Sequence, residues 1–174
     1  MNNLKLITIS FIAVAAFSIS TSAQRKPARK PAPKKTTPTL VAPLDVRAGR
    51  EKVEVQLANV DRFIDVMGPI AQGIEEIDEA AKSGPLPSET EAKNEANKKR
   101  VIAAIRNLGD GLRVLEAEFR SKSELQKYLS TIQGITDLAA ASEDLAIAGK
   151  FVASKDPLRD VVLKLTDTLV AMPK

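Results

Sequence analysis

Residues 53–82 read VEVQLANVDRFIDVMGPIAQGIEEIDEAAK, the strongest helical pattern in the chain. Its apolar positions Val53, Leu57, Val60, Ile64, Met67, Ala71 and Ile74 advance in steps of four and three. That spacing keeps one side of a helix apolar, whereas a strand would need alternation between two faces. One helix is therefore predicted from about Leu44 to Lys82, stopped by Ser83-Gly84-Pro85-Leu86-Pro87.

The same pattern recurs on either side of further stop signals. Val101, Ile105, Leu108, Leu112, Leu115 and Phe119 define a second helix, with Ser88 and Glu91 placed as a capping box. Ser123 and Gln126 form a similar pair ahead of a third, which carries Leu125, Leu129, Ile132, Ile135, Ala139, Ser142 and Ala146. Asp156 as cap and Pro157 at the first helical position open a shorter fourth, through Leu158, Val162, Leu165, Leu169 and Met172. The fold class that follows is all-α. It is an antiparallel up-down helical bundle of three long helices plus a shorter fourth, over residues 43–174, preceded by a disordered basic Pro-rich tail.

Short connections between long helices make neighbours antiparallel. Folding the first two helices about Pro87 sets Ile74 against Val101, Met67 against Leu108 and Val60 against Leu115. It also sets Glu75 against Lys99, Asp61 against Arg113 and Glu54 against Arg120, while Asp65 lies within a turn of Arg106. The seven-residue stripe Lys99, Arg106, Arg113, Arg120 thus reads as interhelical pairing rather than a phosphate-binding face. Gly68-Pro69, Gly109, Gly111 and Gly134 fall at one height, a waist that is either a hinge or a bend. The fourth helix is expected to cover the half of the bundle that holds the 83–88 turn.

Ahead of the bundle the chain changes character. Residues 1–23 read as an export signal: Lys5, an apolar run from Leu6 to Ile19, then small residues at Thr21-Ser22-Ala23. The apolar run is short against the roughly 20 residues a bilayer requires. Residues 24–42 follow as the tail, with six cations, Arg25, Lys26, Arg29, Lys30, Lys34 and Lys35, and no acid among them. Such a segment buries no apolar surface and should stay extended. From Thr36 onward 19 Lys and Arg face 22 Asp and Glu, a net of −3, so the positive charge of the chain belongs to its first 35 residues.

Composition removes many chemistries. The chain has no Cys, His or Trp. That excludes disulfides, thiol nucleophiles, His-based metal sites and Ser-His-Asp relays. The acids Glu75, Glu76, Asp78, Glu79, Glu89, Glu91 and Glu95 gather near the first turn without any calcium-loop spacing. No phosphate loop or nucleophile elbow occurs, and neither a cofactor nor a metal is expected. The aromatics past residue 23 are Phe63, Phe119, Tyr128 and Phe151, all outside the basic segment, which argues against sequence-specific nucleic-acid binding.

The reading is a secreted or periplasmic, non-enzymatic bundle that works by binding or scaffolding. It would have no transmembrane helix once the signal is cleaved. Its six tail cations would bind anionic lipid or acidic polysaccharide, or else serve as a solvated spacer. The alternative is a ligand- or chaperone-like bundle with an apolar groove.

Overall fold

The apolar spacing is realised as helix throughout. Residues 42–174, those described in the computed structural model, contain six helices and no strand. The signal peptide, the six tail cations and all but the last residue of the tail lie outside the described residues.

Helix α1 (Leu44–Ser83) runs through Pro69 without ending, and it buries Val46, Val53, Val60, Met67, Ala71 and Ile74 along one side. Helix α2 (Ser88–Ser121) buries Val101, Ile105, Leu112, Leu115 and Phe119. The two run antiparallel. Asp78 meets Asn94 and Lys98 close to the turn, and Lys52 meets Glu118 at the far end.

The third predicted helix is broken into three: α3 (Ser123–Gln126), α4 (Leu129–Ile132) and α5 (Ile135–Ile147). The second break is a backbone event. Gln133 leaves helical geometry at φ −56°, ψ 134°, and Gly134 takes the left-handed value φ +92°. An L side chain resists that region by about 1–2 kcal/mol, and glycine does not. Gly134→Ala should therefore lower the melting temperature. Gly109→Ala should leave it unchanged or raise it, because the added methyl would sit 3.4 Å from the Ala139 Cβ, in ordinary contact. Alanine gains about 1 kcal/mol over glycine within a helix. Thermal melts of the two single variants check the contrast, and a fall in both would mean that α2 and α5 leave no room for a methyl.

Helix α6 (Lys155–Ala171) corrects a second expectation. It does not cover the half with the 83–88 turn. The Val152 N–H donates to Glu75 at 2.7 Å, so the chain has turned back beside α1 before α6 begins. Lys155 then lies near Gly68, and Arg50 Nη1 donates to the carbonyls of Leu169 at 2.6 Å and Met172 at 3.0 Å. Helix α6 thus lies along the first half of α1, where the larger core joins Val46, Val53, Val60, Leu112, Phe119, Leu158 and Leu165. Met67, Ala71, Ile74, Val101, Ile105, Ala146 and Phe151 form a smaller core higher up. Among residues 79–97 only Asn94 is buried.

The predicted caps form differently. Pro87 and Lys122 occupy the positions before α2 and α3, and neither Ser88 nor Ser123 makes a side-chain cap. The amides of Thr90 and Glu91 are instead met by the Pro87 carbonyl, at 2.9 and 3.2 Å. Helix α6 starts one residue before Asp156, whose carboxylate accepts from Arg159 at 2.5 Å. Pro157 still falls in the first turn, where its missing N–H leaves no helical bond unmade.

Candidate functional site

Arg106, Arg113 and Arg120 of the charged stripe lie on the α5 side of α2, and the pairs expected across α1 and α2 do not form. Arg106 holds Glu143, Arg113 holds Asp110 on its own helix, and Arg120 holds Glu116. Glu54 pairs with Arg50 at 3.0 Å, and Glu75 takes the Val152 amide in place of Lys99.

Glu116 is the feature that sequence reasoning missed. It is 3% exposed, and its two oxygens collect the N–H of Gly134 at 3.1 Å, the N–H of Thr136 at 3.1 Å and the Thr136 hydroxyl at 2.8 Å, besides Arg120. These amides open α5 and have no partner within the helix, so a carboxylate from α2 caps a neighbouring element. Burial pushes this carboxyl upward. The bonds from Arg120, Gly134 and Thr136 outweigh it and hold the group at about 2. A signal was present: glycine followed two residues later by threonine, opposite an acid lying in an apolar stripe.

Other buried polar groups are also structural ties. Ser142 donates to the Ser154 carbonyl at 2.7 Å, and the Thr168 hydroxyl lies 2.7 Å from the Lys164 carbonyl and 3.0 Å from the Thr131 hydroxyl. The acids near the first turn are likewise engaged. Glu79 accepts from Lys82 at 2.7 Å, and Asp78 from Asn94 and Lys98, each at 2.7 Å. No group of three or more acidic residues is placed to hold a metal among the described residues.

What remains open is the side of the α1–α2 pair turned away from α5 and α6. Val55, Val66, Ile70 and Val114 are 53%, 60%, 41% and 69% exposed there. The lower part is a hollow of about 410 Å³ floored by Gln56, Gly111 and Leu115, with Ala48, Val55 and Val114 around it. The upper part is a hollow of about 360 Å³ between Val66, Ile70, Arg100 and Ala104. A Cβ at Gly111 would stand 3.2 Å from the Gln56 amide nitrogen, so the end of that side chain would have to shift by a few tenths of an ångström.

Lys52 Nζ reaches across the lower hollow to Glu118 at 2.6 Å, and Lys122 joins the same carboxylate at 2.8 Å. Burial raises the Glu118 carboxyl, but Lys122 and Lys52 more than offset this and hold it below its ordinary value. The glycines of the expected waist therefore sit in separate settings: Gly134 turns the chain, Gly109 lies against Ala139, and Gly111 floors a hollow. Among the described residues no helix is long and apolar enough to cross a membrane. No protein-family model, curated protein or solved structure matches this chain.

Proposed function

We propose that the protein is an exported, non-enzymatic binding or scaffolding module, with an up-down antiparallel bundle as its rigid part. A single observation carries this reading. The buried polar side chains Glu116, Ser142 and Thr168 are spent on holding backbone and neighbouring helices together, while four large aliphatics stand exposed on one outer face. Interior groups that tie helices favour a scaffold, and an exposed apolar face favours contact with other molecules.

The basic segment supplies the second half of the proposal. Arg25, Lys26, Arg29, Lys30, Lys34 and Lys35 would hold the body to anionic lipid or acidic polysaccharide, each contributing up to about 1 kcal/mol near such a surface. The body, at −3 from Thr36 onward, adds no attraction of its own. The exported product should begin at Gln24 by mass spectrometry and co-sediment with phosphatidylserine-containing vesicles at low salt. Changing the six cations to Gln should abolish sedimentation and leave the helical circular dichroism unchanged. Binding that survives the change, or that persists at molar salt, would reject the tail as tether. The second reading, a bundle working through an apolar groove, draws on the two hollows between α1 and α2.

A further inference from the structure

We infer that the exposed α1–α2 face is the contact between two copies of this chain, packed face to face and antiparallel about a two-fold axis that crosses the helices between Asn59 and Arg62. This rests on the reading of the body as a scaffold and names what covers its open face.

The face is large enough for a specific contact. From Ala48 to Ile70 the face is about 33 Å long at helical rise, and two adjacent helices make it about 20 Å wide. That is about 650 Å² per copy and about 1,300 Å² in total, above the roughly 1,000 Å² that a specific interface needs.

Charge complementarity sets the direction. The lower end carries Asp45, Glu51 and Glu118 against Lys52 and Lys122, one negative charge in excess, and the upper end carries Arg100. A parallel pair would set acid beside acid and Arg100 beside Arg100. An antiparallel pair sets Arg100 over Glu118 of the second copy, and that choice fixes the register along α2. The same register places the projecting Val114 over Ala104, a small residue lining the upper hollow. Along α1 it brings Val55 over Val66, Ala48 over Gly73, and Asn59 over Arg62. The projecting Val114 meets a small residue, Val55 and Val66 form an apolar pair, and Arg62 meets an amide rather than its own copy. The levels of the axis on α1 and α2 agree with the observed register, in which Gln56 lies against Gly111 and Lys52 against Glu118.

The test uses the exported chain in analytical ultracentrifugation, with a dimer expected at tens of micromolar. The double variant Val66→Glu, Val114→Glu should weaken association at least 30-fold with unchanged circular dichroism, both positions being exposed. Arg100→Glu should weaken it about 10-fold. Because the chain has no cysteine, single cysteines report geometry. Under mild oxidation Asn59→Cys should cross-link to itself efficiently, and Ala48→Cys, at the end of the face, should not. A monomer at every concentration overturns the proposal, as does preferential cross-linking through Ala48→Cys. Dimerisation that disappears on neutralising the tail cations also overturns it, because the contact would then belong to the tail. Vesicle binding is a separate readout, so failure of the tether and failure of the dimer remain distinguishable.

Discussion

Replacing Glu116 with alanine is expected to lower the stability of the bundle by about 3 kcal/mol. Hydrogen bonds to charged groups contribute roughly 1.5–3 kcal/mol, and buried donors stripped of their acceptor incur their full desolvation cost. Here the Gly134 and Thr136 amides and the Thr136 hydroxyl would all be stripped. Glu116→Gln keeps the shape and one good acceptor, but it turns an amide toward donors, so a loss of about 1–2 kcal/mol is expected. The carboxyl also makes stability depend on pH in a defined window. Its folded value, about 2, lies below its ordinary 4.5. The unfolded chain therefore takes up the proton first as pH falls. The contribution is whole above about pH 4.5, declines below it and is gone once pH falls through about 2. Urea titrations at pH 7 and pH 3 should show the native protein losing more stability than Glu116→Gln between the two. Equal losses would mean that the carboxylate is not what caps α5.

Much of this architecture was legible in the sequence, and the failures have physical causes. Steps of four and three located the seam residues Val53, Val60, Met67, Val101, Ile105, Leu112 and Phe119, all of them buried. The stop placed the turn between α1 and α2 correctly because Gly84, Pro85 and Pro87 crowd into four residues, whereas the lone Gly68-Pro69 pair is carried inside α1. The breaks within the third segment were hidden. Leu125, Ile132, Ile135 and Ala139 keep a helical spacing straight through Gln133 and Gly134, although the backbone does not. Hydrophobic spacing reports which side faces the core and is blind to a local change of φ and ψ that preserves the side. The misplaced fourth helix follows from that error, since the height at which α6 begins depends on the path of everything before it.

The outer face escaped for a different reason. Val55, Val66 and Val114 stand outside the seam among charged neighbours, and single exposed aliphatics are normal in any soluble protein. Only the three-dimensional register brings them onto one side. The tail is the reverse case. Its six cations were plain in the composition, yet composition does not choose between tether and spacer.

Hydrogen exchange should divide α1 and α2 in two, with amides in residues 79–97 protected at least 100-fold less than those in 105–119. The upper span holds one buried residue, Asn94, whereas the lower one holds Ile105, Leu112, Leu115, Glu116 and Phe119. Helical segments as short as 79–83 and 88–97 are marginal in water without tertiary contacts, so opening the tip costs little more than its own backbone bonds. Asn94 adds to the weakness. Its Nδ2 donates to Asp78 at 2.7 Å, but its Oδ1 is buried without a partner. Such an orphan costs about 1–3 kcal/mol, and leucine at this position would replace it with apolar contact. Asp78 would keep Lys98, at 2.7 Å, as its ion pair. Asn94→Leu should therefore slow exchange in 79–97 by about tenfold while leaving 105–119 unchanged. Uniform protection along α2 in the native protein would show that the tip is held by something other than the contacts described for it. Slowing in both spans would show that tip and body open together, as a single cooperative unit.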